Sequence, residues 1–485
     1  MERRQGGKIP RGSPPSQGPR TSAIAPHSGL DPLACRGFSY GMTNRRQFLK
    51  GSASASLLAA APAIVRGQNL NSKLQLASIG SDGKGFSDIK AMSTHDKQHY
   101  VAFCDVDLSR TENAKKLSPE TPVYQDFREM LVGMGDKIDA VTVSTPDHMH
   151  AYCTIMAMKM GKHVYCQKPL THNVWEAREV AKMAEKTGVI TRLGNQIHSH
   201  QFYRTAVQLV QSGRIGKVVQ VHSWVGTPGH CRSGHISRPD FTDPVPETLD
   251  WDKWIGVAQP RPFVGNRCYA PWGWRDWQEF GGGAIGDFGC HILDPVFTAL
   301  KITGPTDDYI ADHSGMNDEV WPAQTTYSFT VPGTEYTAVE RLKITWYNGG
   351  RMPSTRGSHL PPREGLPSSG SMIVGEEGTL VVPHVAAPML YFEGQEMSTD
   401  YDLADDRDHY HGWIDGCLAG EQPSDGFDYG ALLTESILLG AIAIRYPETK
   451  LQWDAANMRF TNNDDANRWL TRDYREGWDL KALIG

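Results

Sequence analysis

The chain has 485 residues, 39% of them hydrophobic, with 13 tryptophans and a formal net charge of −6. That length supports two or three domains with cores of their own, and the charge gives no basis for binding nucleic acid or an anionic membrane. The eight scattered cysteines contain no C-x-x-C pair, so neither a metal site nor a disulfide framework is indicated, and no mature segment is apolar enough to span a bilayer.

Residues 1–42 are rich in Arg, Pro, Ser and Gly without periodicity and are expected to be disordered; Met42 is the expected true start. Residues 43–68 read as a signal peptide. Arg45-Arg46 is followed by a weakly apolar stretch ending at Ala61-Pro62-Ala63, the pattern of twin-arginine export. A periplasmic or other extracytoplasmic location is therefore expected.

Residues 73–195 read as a Rossmann dinucleotide-binding domain. Leu74 to Ile79 is an apolar strand that runs into Gly80, Gly83 and Gly85. A helix and a second apolar strand, Tyr100 to Cys104, lead to Asp105. Glycines in such a turn let backbone approach a pyrophosphate at a helix N-terminus, and an acid 25 residues on suits ribose hydroxyls. Its charge repels a 2′-phosphate, so NAD is expected over NADP. The turn is irregular: Asp82 stands where glycine is usual, with Lys84 near enough to offset it.

Further strands at Ile138–Ser144 and His163–Cys166 end in Thr145-Pro146 and in Gln167-Lys168-Pro169. Ligands bind at the carboxyl ends of strands in a doubly wound sheet. Thr145, Pro146, His150, Gln167, Lys168 and Asn195 are accordingly the expected cofactor edge.

Residues 196–455 read as a second α/β domain. Val218 to Trp224, residues 325–347 and residues 371–383 carry strand alternation. Gly349 to Gly370 is a long Pro/Gly/Ser loop that could cap a site, and helices are expected over Asp408–Leu418 and Tyr429–Tyr446. Tyr269, Trp272, Trp274 and Arg275 are candidate carbohydrate contacts, because aromatic faces stack on sugar rings and guanidinium binds hydroxyls. The plainer reading makes these aromatics core anchors. They lead directly into Gly281-Gly282-Gly283-Ala284-Ile285-Gly286-Asp287-Phe288-Gly289-Cys290-His291. On a helix Asp287 and His291 share one face, one turn apart, as a proton-transferring pair requires. Residues 456–485 form a C-terminal extension.

Three ordered motifs carry a resemblance: Ser144–His150, Gly161–Leu170 and Gly283–Asp294. With them the chain resembles the glucose–fructose oxidoreductase/inositol dehydrogenase (Gfo/Idh/MocA) family of nicotinamide-dependent sugar and polyol oxidoreductases. The resemblance implies a Rossmann domain followed by an α/β domain with a large, open, mostly antiparallel sheet that often serves as an oligomer interface. It implies catalytic roles for Lys168, Asp287 and His291. The departure is Gln167, where the family usually has Glu. Loss of that carboxylate should let Lys168 deprotonate more readily.

The expected activity is NAD-dependent oxidation of a secondary alcohol on a sugar, glycoside or cyclic polyol. His291 is the expected base, oriented by Asp287, which in some arrangements could contact substrate instead, and Lys168 stabilises the alkoxide. Two alternatives stand beside it: redox-neutral chemistry with tightly held NAD, and a non-catalytic sugar-binding protein on the same fold.

Overall fold

The computed structural model describes residues 73–304 and 308–485; the segment 1–42 and the signal read over 43–68 lie outside the described residues. The first domain alternates strands and helices: β1 (Leu74–Ile79), α1 (Lys84–Met92), β2 (Gln98–Cys104), α2 (Glu112–Leu117), β3 (Val123–Tyr124), α3 (Phe127–Met134), β4 (Ala140–Val143), α4 (Asp147–Lys159), β5 (His163–Gln167), α5 (Val174–Thr187) and β6 (Thr191–Gly194). Every residue of β4, β5 and β6 is buried, as strands covered on both faces require. The all-parallel sheet runs β3-β2-β1-β4-β5-β6. Strand order reverses between β1 and β4, which opens a crevice at their carboxyl ends. Helix α5 starts with an Asn173/Glu176 capping box and stops at left-handed Gly188.

The second domain follows with α6 (Gln201–Gln211), β7 (Val218–Val225), α7 (Trp251–Ile255), α8 (Gly283–Leu300), β8 (Asp308–His313), β9 (Thr325–Pro332), β10 (Arg341–Asn348), β11 (Ser369–Gly375), β12 (Thr379–Pro383), β13 (Met389–Tyr391), α9 (His409–Ala419), α10 (Phe427–Ala443), β14 (Leu451–Asp454), β15 (Arg459–Phe460) and α11 (Leu480–Ile484). Its nine-stranded sheet runs β13-β12-β11-β7-β10-β9-β8-β14-β15. Only β7 and β10 pair in parallel; the expected large, mostly antiparallel sheet is present. It extends past residue 455, because β15 pairs with β14.

Helices α8 and α10 are apolar on nearly all sides because they lie between layers. Helix α10 packs against α5 on one side and β8 and β9 on the other, while α8 packs on β7 and β11. Helix α9 crosses to the first domain, where Trp413, Ile414 and Cys417 join Leu76, Ile89 and Tyr165 in one apolar cluster. His409 and His411 travel with it. His409 is buried beside Tyr165, and His411 Nε2 meets Thr94 Oγ1 at 2.7 Å.

The β10–β11 loop, expected to be able to cap a site, contributes no residue to the lining of the large cavity described below. Leu360 and Leu366 pack with Trp224, Met372 and Tyr391 on the outer face of the sheet, and Trp224 Nε1 donates to Pro367 O at 2.8 Å. The large apolar side chains on that face need cover, and the loop supplies it.

Candidate active site

One continuous cavity of about 950 Å³ runs from the glycine turn to α8. Its first half is made by strand ends. Gly80 has φ +89°, and a Cβ there would stand 2.5 Å from Ser144 O, so only glycine fits between β1 and β4. Gly83 lines the cavity at the start of α1. Gly85 does not: a Cβ there would stand 2.2 Å from Gly80 O, so glycine is what lets α1 start this close to the turn. Asp105, at the end of β2, lines the cavity and accepts from Ser81 N (2.9 Å) and Asp107 N (3.1 Å). The acid within the turn is answered by Arg110, not Lys84: Arg110 Nη2 lies 3.1 Å from Asp82. Lys84 turns away to Asp88 and to Tyr410 Oη at 2.9 Å.

Asp88 also explains Gln167. It is fully buried and accepts from Gln167 Nε2 at 2.9 Å and from Ser144 Oγ at 3.0 Å. A glutamate at 167 would press a second carboxylate against it. The buried carboxylate beside Gln167 comes from α1 and pairs with Lys84, while the carboxylate at Lys168 is that of Asp287. His150 Nε2 and Nδ1 each lie 2.8 Å from a carbonyl oxygen, those of Thr145 and Pro169, so the ring ties the two cofactor-edge loops together. Thr145 Oγ1 and Gln196 Oε1 are buried in the cavity wall without a partner among the described residues. A turn open to backbone approach, an acid at the end of β2 and two unspent polar atoms together fit a dinucleotide.

The second half is centred on α8, where Asp287 and His291 do share a face. They are not a pair. Asp287 Oδ1 lies 2.7 Å from Lys168 Nζ and 3.4 Å from Arg275 Nε, and Oδ2 pairs with Arg232. Lys168 Nζ also donates to Asp287 O at 2.6 Å. Despite its burial, these three cations hold the Asp287 carboxyl well below the usual carboxylate range. The expectation that Asp287 orients His291 is corrected: Asn195 does so. Asn195 Nδ2 donates to Cys290 O (3.2 Å), so Oδ1 faces His291 Nδ1 at 2.5 Å. The ring proton therefore sits on Nδ1, leaving Nε2 a bare acceptor. Burial, and then the Lys168 charge, push the imidazole well below its ordinary range, so it is neutral. Asn195 itself is fully buried, lies outside the cavity lining, and meets the site through the histidine.

Of the candidate sugar contacts, Trp272, Trp274 and Arg275 line the cavity. The Arg275 guanidinium sits 4.1 Å from the Trp274 ring and 5.0 Å from that of Trp272, which is 45% exposed. Tyr269 does not reach the cavity. It is a core residue, stacked on Trp251 and packed against Trp277 and Phe280.

Several cavity and site residues escape a reading of the sequence. Arg232 comes from the irregular loop after β7, which is anchored because Cys231 N, Arg232 N and Ser233 N all donate to buried Asp276 Oδ2 (3.1, 2.7 and 2.7 Å). Trp478 lines the cavity from the C-terminal extension. Asp147, the first residue of α4, is buried in the cavity wall and accepts one hydrogen bond from the described residues, from Gly282 N at 3.1 Å. Burial raises its carboxyl to about 7, against the pull of Arg275 and Lys168. Only its place beside the Thr145-Pro146 motif hints at it in the sequence.

Comparison with known proteins agrees with this layout. Residues 74–195 match an oxidoreductase family described by its NAD-binding Rossmann fold, and residues 205–308 match that family's C-terminal alpha/beta domain. Similar curated proteins include a 1,5-anhydro-D-fructose reductase of Ensifer adhaerens, 34% identical over 114 residues (23% of this chain, 34% of the relative). A glycosyl hydrolase family 109 protein of Stenotrophomonas maltophilia is 30% identical over 193 residues (37% and 41%). The matches thus span well under two thirds of these relatives. Among solved structures, a WlbA dehydrogenase from Chromobacterium violaceum, in complex with NADH and UDP-GlcNAcA, shares the fold. It has a TM-score of 0.57 at 18% identity, over 79% of this chain and 96% of that one. With both domains matched in order, the chain belongs to the glucose–fructose oxidoreductase/inositol dehydrogenase (Gfo/Idh/MocA) family of NAD-binding oxidoreductases.

Proposed function

We propose that the protein oxidises a secondary alcohol of a sugar, glycoside or cyclic polyol. The observation that carries this reading is that Lys168 Nζ and His291 line the same cavity as the glycine turn and Asp105. The glycine turn, Asp105, Thr145 and Gln196 would hold NAD, which supplies a hydride acceptor when bound. His291 Nε2 takes the hydroxyl proton, and Asn195 keeps that nitrogen free to do so. Lys168 stabilises developing charge on the same oxygen. Asp287 holds Lys168 and Arg275 in place, while Trp272 and Arg275 offer a sugar one stacking face and one set of donors. The named relatives, a sugar reductase and a glycosyl hydrolase, support a carbohydrate substrate.

Replacing Lys168 or His291 with Ala is expected to cut kcat by roughly 10²–10⁴-fold with NAD binding retained. Stopped-flow turnover and NAD titration measure the two separately, and near-normal turnover in either variant overturns the assignment. A second reading, redox-neutral chemistry on a retained cofactor, is favoured by the closed roof over the cofactor half described below. Turnover without added NAD distinguishes it.

Two further readings rest on the sequence. Export by the twin-arginine route predicts that Arg45→Lys/Arg46→Lys stops the protein leaving the cytoplasm. Self-association through the large sheet is also proposed. The β10–β11 loop covers the outer face of β7, β11 and β12, which leaves β8–β10; light scattering on the purified protein tests for a dimer or larger assembly.

A further inference from the structure

The cofactor half of the cavity has a roof, and the roof is bonded shut. Immediately beyond Asp105 and Asp107, Leu108 N donates to Thr248 O at 2.9 Å, and Asp250 N donates to Val106 O at 2.9 Å. Gln125 Nε2 donates to both Val106 O and Thr248 O at 3.0 Å. Pro246, Leu249 and Phe263 bring apolar surface over the opening. An opening motion of the second domain must break this row of bonds.

The last residues of the chain fasten the roof from outside. Arg475 grips the far side of α7: Nε donates to Gly256 O (2.9 Å), Nη2 to Asp252 O (3.0 Å), and Nη1 pairs with the Asp252 carboxylate. The same segment holds the first domain. Tyr474 Oη donates to Glu176 Oε1 on α5 at 2.8 Å, and Lys159 Nζ on α4 donates to the carbonyl oxygens of Leu483 and Ile484. Between these anchors Trp478 enters the cavity wall. It is 4% exposed, its ring 5.3 Å from that of Tyr152 and 4.0 Å from the Arg128 guanidinium.

We infer that residues 471–485 are part of the nucleotide site: Trp478 closes its wall, and the strap holds roof and Rossmann domain together so that bound dinucleotide leaves only when the strap lets go. These residues lie outside both family-matched segments. The inference rests on the NAD-binding reading and gives a physical basis for a cofactor that stays through turnover. It also assigns Arg475 a task that its contacts with α7 alone do not suggest.

The test uses the full-length protein loaded with isotope-labelled NAD. Release into excess unlabelled NAD is followed for the wild type, Arg475→Ala, Arg475→Lys and Trp478→Ala. The expected result is slow release from the wild type and release roughly tenfold or more faster from both Ala variants, the equivalent of losing about 1.4 kcal/mol of closure. Arg475→Lys should be intermediate, because lysine keeps the charge but not the three-way grip. Near-ultraviolet circular dichroism at the assay temperature separates strap opening from unfolding. Fast release from the wild type, or equal release from wild type and folded Ala variants, overturns the strap. Failure of any form to take up labelled NAD overturns the NAD-binding reading instead.

Discussion

Asp287 stands among three cations, Lys168, Arg232 and Arg275, while His291 has no carboxylate hydrogen-bond partner among the described residues and meets the Asn195 amide instead. The two halves of the expected acid–histidine pair therefore do separate work. One holds a lysine and two arginines; the other is a neutral imidazole held by an amide. Asp147 adds a third group with its own titration. In the unfolded chain its carboxyl ionises near 4; folded, burial moves it to about 7. The folded state holds the extra proton between those values, so the Asp147 contribution to stability falls as pH rises through that window. Asp147→Asn can still accept from Gly282 N but carries no charge. Its melting temperature is expected to gain on the wild type progressively from pH about 4 to about 7 and to level off above. Thermal melts across that range check this, and parallel curves for the two proteins would refute it. Lys168, Asp287 and His291 are legible in the sequence because a strand end and helical spacing announce them. Arg232 and Trp478 are not, because each arrives on irregular chain whose path depends on partners distant in sequence: Asp276 for one, α7 and α4 for the other.

At the level of elements, the clearest departure from a self-contained Rossmann unit is α9. It is encoded more than 200 residues after β6, yet it completes an apolar cluster on β1, β2 and α1. Trp413 is fully buried there. Trp413→Ala is expected to cost about 3–5 kcal/mol, by lost transfer free energy and a residual cavity. Chemical denaturation measures it, and a loss under 1 kcal/mol would mean the cluster is not structural. Period and turn chemistry reveal that α9 is a helix; they carry no information on which sheet it joins. The β10–β11 loop shows the same limit. Its composition marks it as a loop, but only the apolar outer faces of β7, β11 and β12 decide that it lies flat on the sheet.

Across the whole molecule, the two domains share more than a linker. One apolar cluster contains Val141 and Val164 of the first sheet, Ile292 of α8, Ile437 of α10 and Tyr327 of the second sheet. Helix α9, the roof and the strap all cross the same boundary. Cooperative units follow contiguous cores and not sequence domains. Calorimetry of the mature protein is therefore expected to show one unfolding transition, and two resolved transitions would show that the domains melt independently. The order of strands and helices, and with it the class of fold, is legible from periodicity and glycine placement. The tightness of this coupling is not, since it depends on segments that show their partners only when folded.

The Asp276 anchor also has a practical side. Six of the seven described thiols are buried, and only Cys231 is exposed. It sits on that anchor, one peptide bond from Arg232, the cation that reaches across to Asp287. A fluorophore attached there would sense ligand arriving at α8 without an introduced cysteine, and the same position warns that a bulky oxidant or alkylating agent can disturb the site without touching Lys168 or His291.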